Sequence, residues 1–177
     1  MNRLGTQQAA DLLEKAKKQE ILVVGDLMLD RYITGSVDRI SPEAPVPVVR
    51  VEGESLAVGG AGNVAANVVA LGATSRVVGC VGDDPEGTLL RNHLQGLGVD
   101  VSGVVSVPGR PTTVKTRIMA RHQHVTRVDR EDTADVSPEL AEALLSLIRT
   151  ALQSAHGLVL EDYNKGVLVP QVIGKSL

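Results

Sequence analysis

Ile21-Leu22-Val23-Val24-Gly25-Asp26 is an unbroken apolar run that ends in a glycine and an acid. A strand with one wet face alternates apolar and polar residues. A run without alternation reads as a strand buried on both faces, as in a parallel sheet covered by helices. Val77-Val78-Gly79-Cys80-Val81 and Gly157-Leu158-Val159-Leu160 have the same character. Helical patterns lie between these runs. Val64, Val68 and Leu71 are spaced for one buried face, and Gly72 ends that helix. The acids of 83–86 open a second helix, which Gly98 stops. Ser137-Pro138-Glu139 starts a third, with Ser as cap and Pro at the first position, and Leu140, Leu144, Leu147, Ile148 and Leu152 form its stripe. The order predicts a layered α/β domain.

Two stretches break this alternation. In residues 30–51, Arg31 to Gly35 predicts a short strand, the prolines of Ser41-Pro42-Glu43-Ala44-Pro45-Val46-Pro47 enforce an extended chain, and Val46 to Val51 predicts a returning strand. Prolines confine such a segment to a sheet edge or a peripheral flap, so it is expected as a small β appendage outside the main sheet. Residues 112–129 predict a hairpin in which Lys115 and Arg117 share one strand face. Its turn holds His122 and His124, expected as solvated residues and not as metal ligands.

Composition narrows the function classes. The 177 residues are 43% hydrophobic with a net charge of −3, and the basic residues are scattered, which argues against a nucleic-acid surface. Two Tyr and no Phe or Trp leave no stacking platform for bases. No run approaches the roughly 20 apolar residues of a membrane span. Residues 1–20 predict an amphipathic helix, with Thr6 as cap and Ala9, Leu12, Leu13 and Ala16 as its stripe, and without the apolar core of a signal peptide. A cytoplasmic location is expected. Cys80 is expected as a small buried hydrophobe.

The chemistry gathers at strand ends and at one glycine turn. Open α/β sheets bind ligands at the carboxyl ends of their strands. Asp26 and Asp30 follow the first apolar run, Glu161 and Asp162 follow the last, and Lys165 lies in the turn beyond. Gly59-Gly60-Ala61-Gly62-Asn63 feeds a helix start, where free amides suit a polar or anionic ligand. Taken singly, each feature also has a plain structural use: a tight turn, a solvated loop acid, or cations that keep an edge strand soluble. Together they suit a polyhydroxylated, phosphorylated ligand. A dinucleotide site is the rival, because Gly60-Ala61-Gly62-Asn63-Val64-Ala65 matches G-x-G-x-x-A and Asp83 has the spacing of a ribose-binding acid. Against that rival, only Ser55 to Val58 precedes the glycines, and the obvious first strand leads to acids.

Gly59-Gly60-Ala61-Gly62-Asn63-Val64-Ala65, with Gly72 and Gly82, resembles the first signature of the ribokinase-like (PfkB) carbohydrate kinases. Val24-Gly25-Asp26-Leu27-Met28-Leu29-Asp30-Arg31-Tyr32, the Ser41 to Pro47 run and Asp162-Tyr163-Asn164-Lys165-Gly166 are similar to its heptose-7-phosphate kinase subgroup. The resemblance implies a ribokinase-like layered α/β sheet with a small β lid, lid segments at about 30–51 and 112–129, and lid-mediated pairing of two subunits. It implies transfer of the ATP γ-phosphate to a sugar hydroxyl with Mg²⁺. Asp30, Gly59, Gly60 and Asn63 would hold sugar hydroxyls, Lys115 and Arg117 would face the substrate's phosphate, and Asp162 and Lys165 would lie near phosphoryl transfer. The family's Gly-Ala-Gly-Asp and Asn-x-x-Glu motifs do not occur in these 177 residues. The chain therefore reads as an N-terminal helix (1–20) and the sugar-binding half of a kinase domain (21–177), incomplete at its C-terminus. The catalytic base is expected beyond Leu177, and the chain is expected to be inactive alone, without tight binding of ATP or Mg²⁺. The alternatives are a non-catalytic sugar-phosphate-binding or dimerisation module and an NAD-binding oxidoreductase fragment. Marginal stability or association is expected of a sheet without its later strands.

Overall fold

The computed structural model describes residues 5–121 and 123–176. In chain order the elements are α1 (Thr6–Ala16), β1 (Glu20–Gly25), β2 (Leu27–Ile40), β3 (Pro47–Gly60), α2 (Ala61–Ala70), β4 (Thr74–Gly82), α3 (Pro85–Gly96), β5 (Asp100–Val107), β6 (Thr113–Ala120), β7 (Gln123–Arg130), α4 (Pro138–Ala151), β8 (Gly157–Glu161) and α5 (Pro170–Ser176).

The apolar runs form the main sheet, ordered β5-β4-β1-β8 with every pairing parallel. Side chains of β1 alternate between its two faces, as the period of a strand demands. Val23 packs with Ala61, Ala65, Leu90 and Leu94 of α2 and α3. Leu22 and Val24 pack with Leu144, Leu145, Ile148 and Val172 of α4 and α5. Both faces are therefore dry, and this is why the run has no polar member.

The second sheet is ordered β3-β2-β6-β7 and is mixed: β2 pairs antiparallel with β3 and parallel with β6, and β6 pairs antiparallel with β7. Its strands are longer than the sequence predicts. The expected short strand Arg31–Gly35 is the middle of the 14-residue β2, and Ser55–Val58 is the end of the 14-residue β3. Away from the core both faces of these strands meet solvent, so no apolar alternation marks them. Irregularities at Thr34/Gly35 and Val37/Arg39 break the pattern further.

Three helix readings are corrected. Residues 5–20 hold a shorter helix than expected, capped by Gly5 and not by Thr6, and Leu12 and Leu13 are exposed. Residues 1–4 of that expected helix lie outside the described residues. In α2 the buried face is Ala61, Gly62 and Ala65, while Leu71 is 58% exposed. In α4 the small residues Ala141 and Ala151 are buried with Leu144, Leu145 and Ile148, and Leu152 is exposed. Small side chains let these helices approach the sheet closely, so the buried stripe follows backbone proximity and not residue size.

Asp26 is the single residue between β1 and β2, and so it joins the two sheets. It is 1% exposed. Its carboxylate accepts from the amides of Tyr163 (2.8 Å), Lys165 (3.0 Å) and Val167 (3.3 Å). Its carbonyl accepts from Ala61 N at 2.9 Å, and its own amide donates to Glu161 O at 3.2 Å. A buried charge is tolerable only with such saturation. A second carboxylate, Asp84, caps α3 through Gly87 N (2.8 Å) and holds the entry to β6 through Thr112 N (2.9 Å) and Thr112 Oγ1 (2.6 Å). Partial burial pushes the Asp84 carboxyl up, but the Thr112 and Gly87 hydrogen bonds and the Arg130 charge outweigh it and hold the group below its ordinary value.

Asp26→Asn offers an NH₂ group to amides that need an acceptor, and it is expected to cost about 3 kcal/mol in chemical denaturation. Asp38→Asn, on the exposed Arg50 pair, is expected to cost no more than about 0.5 kcal/mol. For Asp84, a folded-state pKa below the unfolded one means that its stabilisation is full above the unfolded value and is lost as pH falls through the folded one. Stability measured by denaturation should fall on acidification below about pH 4, and Asp84→Asn should flatten that slope.

Candidate functional site

Leu27 and Leu29 of β2, Val58 of β3 and Val114 of β6 point into the core beside α2 and α3. By the two-residue period of strands, Met28, Asp30 and Tyr32, with Lys115 and Arg117, face the other way. There they line a cleft of about 300 Å³ that also takes in Gly59, Gly60, Asn63 and Tyr163. Pairing sets the neighbours: Met28 lies opposite Gly59, Asp30 opposite Lys115, and Tyr32 opposite Arg117.

The glycines have separate physical reasons. Gly60 has φ +56°, and a Cβ there would lie 2.2 Å from the Asp26 carbonyl oxygen. A Cβ on Gly59 would lie 2.7 Å from Met28 Cγ and 2.9 Å from Asp30 Oδ2, so the missing side chain keeps that carboxylate reachable from the cleft. Asn63 is exposed at the start of α2, and its Oδ1 accepts only a long 3.4 Å bond from Asn67 Nδ2.

Charge in the cleft is paired. Arg117 Nη1 donates to Asp30 Oδ1 at 2.5 Å, and the guanidinium lies 5.3 Å from the centre of the Tyr32 ring. The Asp30 hydrogen bond pushes the Arg117 pKa further up, so this cation is permanent. Lys115 Nζ sits 3.6 Å from Asp129 Oδ2 and 3.7 Å from Glu131 Oε2.

The structure thus brings Asp30, Gly59, Gly60, Asn63, Lys115 and Arg117 to one cleft and leaves two expected residues outside its lining. Asp162 is exposed and accepts from the Asn164 amide at 2.7 Å, which is the work of a turn residue. Lys165 lines a narrow crevice with Asp26, Cys80 and Arg110. Sequence reasoning missed Tyr32, Tyr163, Asp129 and Glu131. The two tyrosines are the chain's only aromatic residues, and that scarcity was a usable signal. Asp129 comes beside Lys115 through the β6–β7 pairing and Glu131 follows just past the end of β7, neighbours that no local pattern announces.

Among the described residues no group of three or more His, Cys, Asp or Glu side chains comes together to hold a metal ion. The acids around the cleft, Asp30, Asp129 and Glu131, are each engaged with a cation. His122 lies outside the described residues, and His124 is an exposed member of β7. The glycine turn follows β3, whose partner β2 is antiparallel in the second sheet, whereas a dinucleotide turn follows a strand of the parallel sheet. No described helix is long and apolar enough to cross a membrane.

The model of the pfkB family carbohydrate kinases matches residues 18–172. The "Bifunctional protein HldE" of Caulobacter vibrioides is 51% identical over 154 residues, which are 86% of this chain and 31% of that protein. The protein of the same name from Wolinella succinogenes is 47% identical over 161 residues, 91% of this chain and 34% of that protein. The chain spans about a third of the length of these curated relatives. Among solved structures, a 2-dehydro-3-deoxygluconokinase from Thermotoga maritima superposes with a TM-score of 0.64 at 16% identity, covering 89% of this chain and 46% of that one. A ribokinase of Arabidopsis thaliana complexed with ribose and ATP gives 0.61 at 20% identity, covering 89% and 50%. These two likenesses are of fold alone, and the fold is the expected ribokinase-like α/β arrangement. By sequence and by architecture, the chain belongs to the pfkB family of carbohydrate kinases.

Proposed function

We propose that the chain is the sugar-phosphate-binding part of an ATP-dependent heptose-7-phosphate kinase, which forms the 1,7-bisphosphate in ADP-heptose and lipopolysaccharide precursor synthesis. The observation that carries this reading is the convergence of Asp30, Gly59, Gly60, Asn63, Lys115 and Arg117 on one cleft. In this reading Asp30 and Asn63 exchange hydrogen bonds with sugar hydroxyls, and the bare backbone at Gly59 and Gly60 lets the ring approach. Lys115 and Arg117 attract the phosphate already on the sugar. Asp162 stands nearer the point of phosphoryl transfer. The identity of 47% and 51% to two HldE proteins supports a kinase of that subgroup.

Transfer needs a base for the attacking hydroxyl, donors for the moving phosphoryl group and magnesium-bound ATP held together. The sequence lacks the family's Gly-Ala-Gly-Asp motif, and the fully carboxylate-engaged cleft offers no substitute base. The 177 residues therefore bind sugar phosphate and do not turn ATP over alone, in the cytoplasm, as residues 21–177 of a larger kinase unit preceded by the 1–20 helix. Segments 30–51 and 112–129 act as the lid. Ile40 and Val51, exposed on the second sheet, and Val46, exposed just before β3, support pairing of two lids in a homodimer.

Titration calorimetry is expected to show binding of D-glycero-D-manno-heptose 7-phosphate and no preference for NAD. Asp30→Asn and Asn63→Ala should each weaken binding at least about tenfold. Unchanged affinity in both variants places the sugar elsewhere, and ATP turnover by the unmodified chain overturns the division of labour. In sedimentation, Ile40→Asp with Val51→Asp should convert a dimer to a monomer; a dimer that persists removes the lid from the interface.

A further inference from the structure

Lys165 lies in a surface turn, yet every polar group it has is engaged. Its amide donates to the Asp26 carboxylate at 3.0 Å, its carbonyl accepts from Arg110 Nη2 at 2.6 Å, and its ammonium donates to Glu131 Oε1 at 2.9 Å. A turn lysine ordinarily keeps its side-chain freedom. Here three elements hold the residue, and its side chain is only 16% exposed.

Glu131 treats its two neighbours unequally. Oε1 is bonded to Lys165, whereas Oε2 lies 3.7 Å from Lys115 Nζ and is buried without a hydrogen bond. Lys115 has its other acid, Asp129, at 3.6 Å, also beyond hydrogen-bond reach. One carboxylate is thus stretched between two ammonium groups and saturates only one of them. The bridge crosses the seam of the molecule, since Lys115 belongs to β6 of the second sheet and Lys165 to the turn after β8 of the main sheet. Arg110 also grips the carbonyls of Asp132 (3.1 Å) and Ala134 (3.0 Å), so the backbone beside Glu131 is anchored and its side chain alone is free to turn away.

A carboxylate between two ammonium groups sits where the oxygens of a phosphate monoester would sit. The monoester brings close to two negative charges and three strong acceptors, against one charge and two acceptors in the carboxylate. We propose that Lys165 and Lys115 form a phosphate-monoester site across the seam between the sheets, and that Glu131 occupies it until a phosphorylated ligand displaces the carboxylate. Displacement then demands a dianion, so the site admits a sugar phosphate and leaves the bare sugar without this anchor. The inference rests on reading the adjoining cleft as a sugar-phosphate site, and it adds Lys165 as a phosphate ligand and Glu131 as the determinant of selectivity. If the three residues merely stitch the sheets together, loss of Glu131 lowers stability and leaves anion binding unchanged.

The test titrates the wild-type chain, Glu131→Gln, Lys165→Met and the double variant with inorganic phosphate, heptose 7-phosphate and unphosphorylated heptose. Glu131→Gln is expected to bind both phosphate-bearing ligands about tenfold tighter and the bare heptose as before. Lys165→Met is expected to weaken both at least about tenfold, and the double variant should lose the gain. Lys115→Met reports the same site from the other sheet should Lys165→Met fail to fold. A folded Glu131→Gln chain that binds phosphate-bearing ligands no tighter than wild type overturns the inference. If heptose 7-phosphate binds wild type and neither variant alters it, the sugar site stands and this anion site falls. If inorganic phosphate alone shows the gain and the loss, the anion site stands and the heptose reading falls.

Discussion

The buried carboxylate of Asp26 is the constraint on which the two-sheet arrangement depends. It is the only residue between β1 and β2, and its backbone hydrogen bonds and three side-chain acceptor contacts tie the first strand to α2 and to the turn at 162–167. A carboxylate taken out of water must be saturated, and main-chain amides are the donors that cannot rotate away. The geometry runs in both directions. The amides need a buried acceptor because their turn leaves the sheet, and the acid is saturated by them. Gly60 follows from the same contact, since its bare Cα passes against the Asp26 carbonyl.

From that joint the second sheet projects with one face rooted in the core and the other open. The open face collects charge of both signs: Asp30 with Arg117, and Lys115 with Asp129 and Glu131. Arg117 is bonded directly to its acid, whereas Lys115 lies just beyond hydrogen-bond reach of both of its acids. Asp84 performs the matching service on the other flank, where one carboxylate caps α3 and anchors the entry to β6, which carries Lys115 and Arg117. The cleft is therefore positioned by two acids that do not line it.

Much of the fold was legible in the chain. The apolar runs declared the parallel strands, and Ser137 and the acids before Glu86 declared helix starts, which the Ser137 and Asp84 caps bear out. The sequence reads the second sheet as a small appendage, because away from the core its strands meet solvent on both faces and carry no periodic signal. The six cleft residues were named from sequence as candidates, and the β2–β3 and β2–β6 registers set them side by side. Asp162 and Lys165 are grouped by their place after a strand end and by the motif that carries the family resemblance. The turn sends Asp162 outward to its own backbone and Lys165 inward toward Glu131.

By itself the sequence determined the layers, the strand ends, the glycine turn and the kinase family, because each is written in local pattern or in contiguous motif. The tertiary structure alone decided which charges meet. Asp26 faces residues more than 130 positions away, Arg117 meets Asp30 across 87 positions, and Glu131 meets Lys165 across 34. Ion pairs of that kind are set by sheet order and register, and a one-residue slip in β6 would turn Lys115 and Arg117 away from the cleft altogether.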